Sequence, residues 1–162
     1  MSVLLVIPAR YASTRYPGKP LVELRGADGA ARTLIRRSWE AARQVRGVDR
    51  IVVATDDVRI RDHARAFGAE VAMTSASCRN GTERCAEAHA ALGCLHDIVV
   101  NLQGDAPLTP AWFVEELIAA LGRDTAAEIA TPVLRCEGAM LSGLIEDRRA
   151  GRERRRGVDG WR

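Results

Sequence analysis

Three short aliphatic runs constrain this chain more than any other feature. Residues 3–7 read VLLVI, 51–55 IVVAT and 97–103 DIVVNLQ, nearly continuous rather than alternating. A strand that buries one face alternates polar and apolar residues, so continuous runs mark strands covered on both faces of a parallel sheet. Helical patterns lie between them. Residues 31–46 set Leu34, Ile35, Trp39 and Ala42 on one stripe, and 57–67 set Ile60, Ala64 and Phe67 on another before a stop at Gly68. EVAM at 70–73 reads as a further strand. Residues 82–92 put Cys85, Ala88 and Leu92 on one face, and Thr109 with Pro110 opens a helix over 110–121. A last strand is expected at 128–134 and a short helix at 139–149. This alternation predicts an α/β fold: a doubly wound, mostly parallel sheet with helices on both faces.

Composition agrees with a single sizeable core. The 162 residues are 47% hydrophobic but only 4% aromatic, the aliphatic mixture that lines sheets between helices. The formal charge of +3 is unevenly spread: the last fifteen residues hold seven Arg against Glu153 and Asp159, a surplus of five, which leaves residues 1–147 at −2. Basic residues gathered at one end rather than spread over a face argue against a nucleic-acid partner. Residues 1–135 therefore read as the α/β domain, and 136–162 as an atypical, Arg-rich and partly disordered tail. Cys78, Cys85, Cys94 and Cys136 form no CxxC pair and read as idle thiols of a reducing compartment. Pro8 and Arg10 interrupt the first apolar run far short of a membrane span. A cytoplasmic protein with no membrane partner is expected. His63, His89 and His96 fit no triad or metal pattern.

In a sheet of this kind ligands bind beyond the carboxyl ends of the strands. The unusual polar stretches fall there: residues 8–19 after the first strand, TDD at 55–57, TSASCRNGTER at 74–84, and QGDAP at 103–107. The first, PARYASTRYPGK, carries Arg10, Arg15 and Lys19 and no acid. It is neither a Walker A loop, since Pro20 follows Gly18 and Lys19, nor a GxGxxG dinucleotide loop. Its arginines can fork onto phosphate oxygens, its lysine can act as a mobile point charge, and Gly18 lets backbone approach a ligand. The alternative is a solvated connection with clustered cations. Lys19 is the only lysine beside 23 arginines, as though a compact ammonium were needed there. Asp105, at the end of a buried strand, is a natural ligand for Mg²⁺ carried by a nucleotide, or else an ordinary turn residue before Pro107. Asp56 and Asp57 are explained as helix cap and first-turn acid, and Thr82 is expected to cap the helix that carries Arg84.

Taken together, IPARYASTRYPGKPL, VATDD, AEVAMTSASCRNGTER and NLQGDAPLTP, in this order over residues 1–135, resemble the 3-deoxy-manno-octulosonate cytidylyltransferases, or CMP-Kdo synthetases. The resemblance implies a nucleotide-diphospho-sugar transferase-like fold and transfer of CMP from CTP to an acidic eight-carbon sugar, with release of pyrophosphate, for lipopolysaccharide synthesis. It implies that Arg10, Arg15 and Lys19 neutralise the triphosphate, that Pro8 and Ala9 lie against the cytosine, and that Ser13 lies near the nucleotide. Gly81 and Arg84 would help close the pocket, Gln103 would face sugar or nucleotide, and Asp105 would hold Mg²⁺. The chain departs from the family pattern at Ala106, where an acid is usual, and at Cys78 and Asn80, where His and Ser are usual. Family members are homodimers that continue for roughly another hundred residues, which supply a second Mg²⁺-binding Asp and the dimer contacts. The expectation is a C-terminally truncated member, poorly active or inactive. The rivals are a non-catalytic CTP-binding domain and a cytidylyltransferase for another acidic sugar.

Overall fold

The computed structural model describes residues 1–12, 16–133 and 135–149. Strand β1 (Val3–Ala9) leads to a 3₁₀ turn at Lys19–Leu21, a hairpin of β2 (Glu23–Arg25) and β3 (Ala31–Thr33), and helix α1 (Leu34–Ala42). Then β4 (Arg50–Thr55), α2 (Val58–Ala66), β5 (Glu70–Met73), α3 (Gly81–Ala91), β6 (Ile98–Asn101) and α4 (Ala111–Arg123) alternate. Met1–Ala130 forms one compact unit, and Thr131–Arg162, which contains α5 (Gly138–Arg149), forms another. Among the described residues no helix is long and apolar enough to cross a membrane.

The main sheet has the order β5-β4-β1-β6, with every pair parallel. Side-chain alternation along β1 divides its core in two. Val3, Leu5, Ile7 and Ala9 pack with Ile35 and Ala42 of α1, Ile60 and Ala64 of α2, and Val114 and Ile118 of α4. Leu4 and Val6 face the other way, against Cys85 and Ala88 of α3. Each fully buried aliphatic side chain contributes about 1.5–3 kcal/mol by transfer from water, which makes β1 the spine of the unit. The chain runs from β1 to one side for β4 and β5, then returns to the other side for β6. The order reverses between β1 and β6, the switch point at which sheets of this kind open a crevice at their carboxyl edge.

Pro8 shows how this crevice is cut. The carbonyl of Val6 accepts from Leu102 N at 3.0 Å, so the even residues of β1 turn their backbone groups toward β6. The β6 pairing ends at Val6 opposite Asn101, and Pro8 lies two residues further on. Its missing N–H therefore costs no ladder bond.

Several expected boundaries move. The helical stripe expected over 31–46 begins only at Leu34, because residues 31–33 pair with 23–25 in a hairpin. Asn80 and Asp57 cap α3 and α2, each accepting from a backbone N–H at 2.9 Å, whereas Thr82 lies inside α3. The Thr109 hydroxyl donates to the Ala106 carbonyl instead of capping α4. The strand expected at 128–134 is not formed at residues 128–133, and Leu134 lies outside the described residues. β-Propensity makes a strand only where a neighbouring edge completes the ladder. Ile129 and Val133 are instead 83% and 84% exposed. The helix expected at 139–149 is α5, and the Arg-rich stretch 150–162 lies outside the described residues.

Candidate functional site

The two loops that flank the crevice meet through their charges. Lys19 Nζ stands 2.5 Å from Asp105 Oδ2, with the side chains 46% and 52% exposed. Two local devices put them there. On the first loop, Gly18 adopts φ +70°, a conformation costly for any residue with a Cβ, and its N–H donates to the Tyr11 carbonyl at 2.9 Å. This turn aims Lys19 out of the 3₁₀ segment. On the other loop, Gly104 lies so close to β1 that a Cβ there would stand 2.7 Å from the Pro8 carbonyl oxygen. Ser38 on α1 fixes the same peptide by donating to the Gly104 carbonyl at 2.8 Å.

A second cluster adjoins Pro8. A Cβ on Gly81 would meet Pro8 Cγ at 3.2 Å and Gln103 Nε2 at 3.3 Å. The start of α3, the end of β1 and the residue before Gly104 are thus in contact. Gln103 is oriented by donating to Asn101 Oδ1 at 2.9 Å. Ala9 is buried and Arg10 exposed at the head of the first loop. Of the residues singled out from the sequence, Pro8, Gly81 and Gln103 are gathered together, Lys19 and Asp105 form a pair, and Ser13 and Arg15 lie outside the described residues.

Arg84 is used differently. It is 3% exposed, forms an ion pair with Asp56 at 3.3 Å and donates to Thr74 Oγ1. Its guanidinium ties the end of β4 to the end of β5 from within α3. The loop between β5 and α3 is laced further by Glu87, which accepts from Ser75 N at 2.6 Å and from Cys78 Sγ at 2.9 Å. That hydrogen bond raises the Cys78 thiol pKa, and burial pushes the Cys85 thiol up to about 12. All four cysteines are free, with Cys94 and Cys136 exposed.

Among the described residues no three His, Cys, Asp or Glu side chains gather to hold a metal. A hollow of about 260 Å³ lined by Trp39, Arg43, Asp49, Arg50 and Glu70 lies at the opposite, amino edge of the sheet. There Arg50 pairs with Glu70, and Asp49 accepts from Val3 N at 2.7 Å. Its charges are largely satisfied internally. The carboxyl-edge crevice, with a cation and a carboxylate exposed across it, remains the better candidate.

A Cytidylyltransferase family model matches residues 4–139, most of the chain. The chain belongs to the cytidylyltransferase family. Among its relatives is a 3-deoxy-manno-octulosonate cytidylyltransferase of Maricaulis maris, 51% identical over 134 residues, covering 83% of this chain and 50% of that protein. The mitochondrial enzyme of the same name from Arabidopsis thaliana is 50% identical over 119 residues, covering 74% of this chain and 39% of that protein. A solved CMP:2-keto-3-deoxy-manno-octonic acid synthetase complexed with CTP superposes with a TM-score of 0.71 at 39% identity, covering 78% of this chain and 49% of that one. The chain spans about half the length of the curated relatives it matches. Their shared fold is a mostly parallel sheet with helices, as here.

Proposed function

We propose that this chain carries the CTP-binding half of a cytidylyltransferase that transfers CMP to the anomeric hydroxyl of Kdo and releases pyrophosphate, in the cytoplasm, for lipopolysaccharide synthesis. The observation that carries the reading is the Lys19–Asp105 pair across the topological switch point, with Pro8, Gly81 and Gln103 beside it. The names of the relatives support the choice of nucleotide and sugar.

The proposed chemistry follows from charge. An anionic sugar must approach a triphosphate and attack the α-phosphorus in line, while the leaving pyrophosphate gathers negative charge. Positioning and fixed cations supply most of the catalysis in such transfers. In this reading Lys19 neutralises phosphate oxygens, with Arg10 and Arg15 on the same loop, and Ser13 lies near the nucleotide. Pro8 and Ala9 offer backbone to the base, and Gly81 keeps the pocket wall thin. Gln103 turns its amide toward sugar or nucleotide. Arg84 acts indirectly, by holding the loop before α3 against the ends of β4 and β5. Each charge-assisted contact contributes about 1.5–3 kcal/mol.

The donor chemistry of Asp105 fits Mg²⁺, an ion usually held by one or two carboxylates while phosphate oxygens and water complete its shell. With no larger carboxylate cluster among the described residues, the ion would arrive with the nucleotide. When bound it supplies charge neutralisation at the phosphates. Lys19 and Asp105 neutralise one another directly, so CTP would compete with Asp105 for the ammonium and free the carboxylate.

The test is pyrophosphate release with CTP, Mg²⁺ and Kdo, beside calorimetry with CTP alone. Turnover sensitive to substitution of Lys19 supports the transferase. CTP binding without turnover supports a second reading, a non-catalytic CTP-binding domain. Turnover with a different acidic sugar but not Kdo would assign the departures at Cys78, Asn80 and Ala106 to sugar choice. No CTP binding at all contradicts both readings.

A further inference from the structure

The first loop is propped from below by residues with no part in the reading so far. Tyr11 supplies the carbonyl that closes the turn at Gly18, and its ring lies against that glycine: a Cβ on Gly18 would stand 3.1 Å from the ring carbons Cε2 and Cζ. Over the ring lies Arg59, whose guanidinium carbon is 3.3 Å from the ring centroid. Arg59 is held in turn by Asp57, through Nε at 3.0 Å and a terminal nitrogen at 2.6 Å in a two-pronged fork. Asp57 N donates to the hydroxyl of Thr55, a fully buried residue at the end of β4 that pairs with Ala9. Contacts therefore run from the core of the sheet through Asp57, Arg59 and Tyr11 to Gly18, and Lys19 follows directly.

We propose that Arg59 is a positioning residue for Lys19, acting through the Tyr11 ring. A flat guanidinium locked by a carboxylate can cover an aromatic face, which neither a lysine nor an apolar chain does equally well. Arg59 is 56% exposed, so it is not a core packing residue, and its geometry is spent on the ring beneath it. With the ring fixed, the tight Gly18 contact limits where the following ammonium can go. This inference rests on the reading of Lys19 as the phosphate-binding cation.

Lys19 is the only lysine, so one labelled peptide reports its exposure. The full chain is treated with an amine-acetylating reagent, with and without CTP and Mg²⁺, and the rate at Lys19 is read by mass spectrometry. In Arg59→Met the nucleotide-free rate rises about fivefold, and Arg59→Lys recovers part of the difference. Asp57→Asn keeps a capping side chain but loses the ionic fork, and moves the rate the same way by less. Arg36→Met, which removes an exposed arginine over Phe67 elsewhere, leaves the rate unchanged. CTP affinity falls in Arg59→Met while its melting temperature stays near that of the parent chain. An Arg59→Met rate equal to the parent's overturns the proposal; should that variant fail to fold, an unchanged rate in Asp57→Asn overturns it. If the Arg59 effect is present but CTP fails to protect Lys19 in the parent chain, the positioning stands and the nucleotide reading of Lys19 fails.

Discussion

Lys19 and Arg84 are both cations near the carboxyl edge of one sheet, yet they face opposite fates. Lys19 extends from a loop, half exposed, toward a carboxylate that is also half exposed. Arg84 points inward from the first turns of α3 and is enclosed by Asp56 and Thr74. An exposed pair contributes about 0–1 kcal/mol to stability, so either partner can be given up to a ligand at little cost to the fold. A buried pair is different, because removing one partner leaves the other charge desolvated. One cation is thus available for chemistry, and the other maintains the wall beside it.

The largest expected effect tests the buried side. Arg84→Met strands Asp56 and should destabilise the chain by about 3 kcal/mol, measured by denaturant unfolding. A loss below about 1 kcal/mol, the range of an exposed pair, would erase the contrast. Lys19→Met is next: it should change stability by no more than about 1 kcal/mol, yet weaken CTP binding about ten- to hundredfold in calorimetry. Gly104→Ala pushes a methyl group against the Pro8 carbonyl and should cost about 1–3 kcal/mol while also displacing Asp105, seen as weaker CTP binding.

A smaller effect concerns acid. The hydrogen bonds from Arg59 hold the Asp57 carboxyl below its ordinary 3.8. A carboxyl lowered in the folded state contributes stability that is fully present above 3.8 and is lost as pH falls from there through the lowered native value. Asp57→Asn should therefore lower stability modestly above that pH and flatten the acid limb, so that the variant and the parent chain converge as pH falls. The smallest effect is kinetic: a thiol reagent at pH 8 should modify exposed Cys94 and Cys136 first, Cys78 more slowly, and Cys85 last, because burial keeps that thiol protonated.

The strands of the main sheet were legible because a strand covered on both faces leaves a continuous aliphatic run, and β1 and β4 bury almost every residue of theirs. The β2–β3 hairpin was missed because its three-residue strands are mostly exposed and charged, although Asp28-Gly29 marks its turn. The strand expected at 128–134 had the right composition, but composition cannot supply the edge it must pair with. In the site, the polar loops at strand ends pointed to the carboxyl edge, and Lys19 and Asp105 do meet there. The inward turn of Arg84 had a signal that went unread: it stands four residues before Ala88, on the apolar face of α3. Tyr11 and Arg59 left no such trace, since their contact joins residues 48 positions apart and depends on how α2 sits beneath the first loop.

The most direct test follows the Lys19 ammonium as it exchanges Asp105 for the phosphates of CTP. A chain labelled with ¹⁵N-lysine carries a single side-chain ammonium, at Lys19, and its resonance can be followed as CTP and Mg²⁺ are added. A saturable shift is expected at the same concentrations that give calorimetric binding, and a shift of the same signal in Asp105→Asn before any nucleotide is present. A Lys19 resonance that stays unmoved while CTP binds would contradict the exchange.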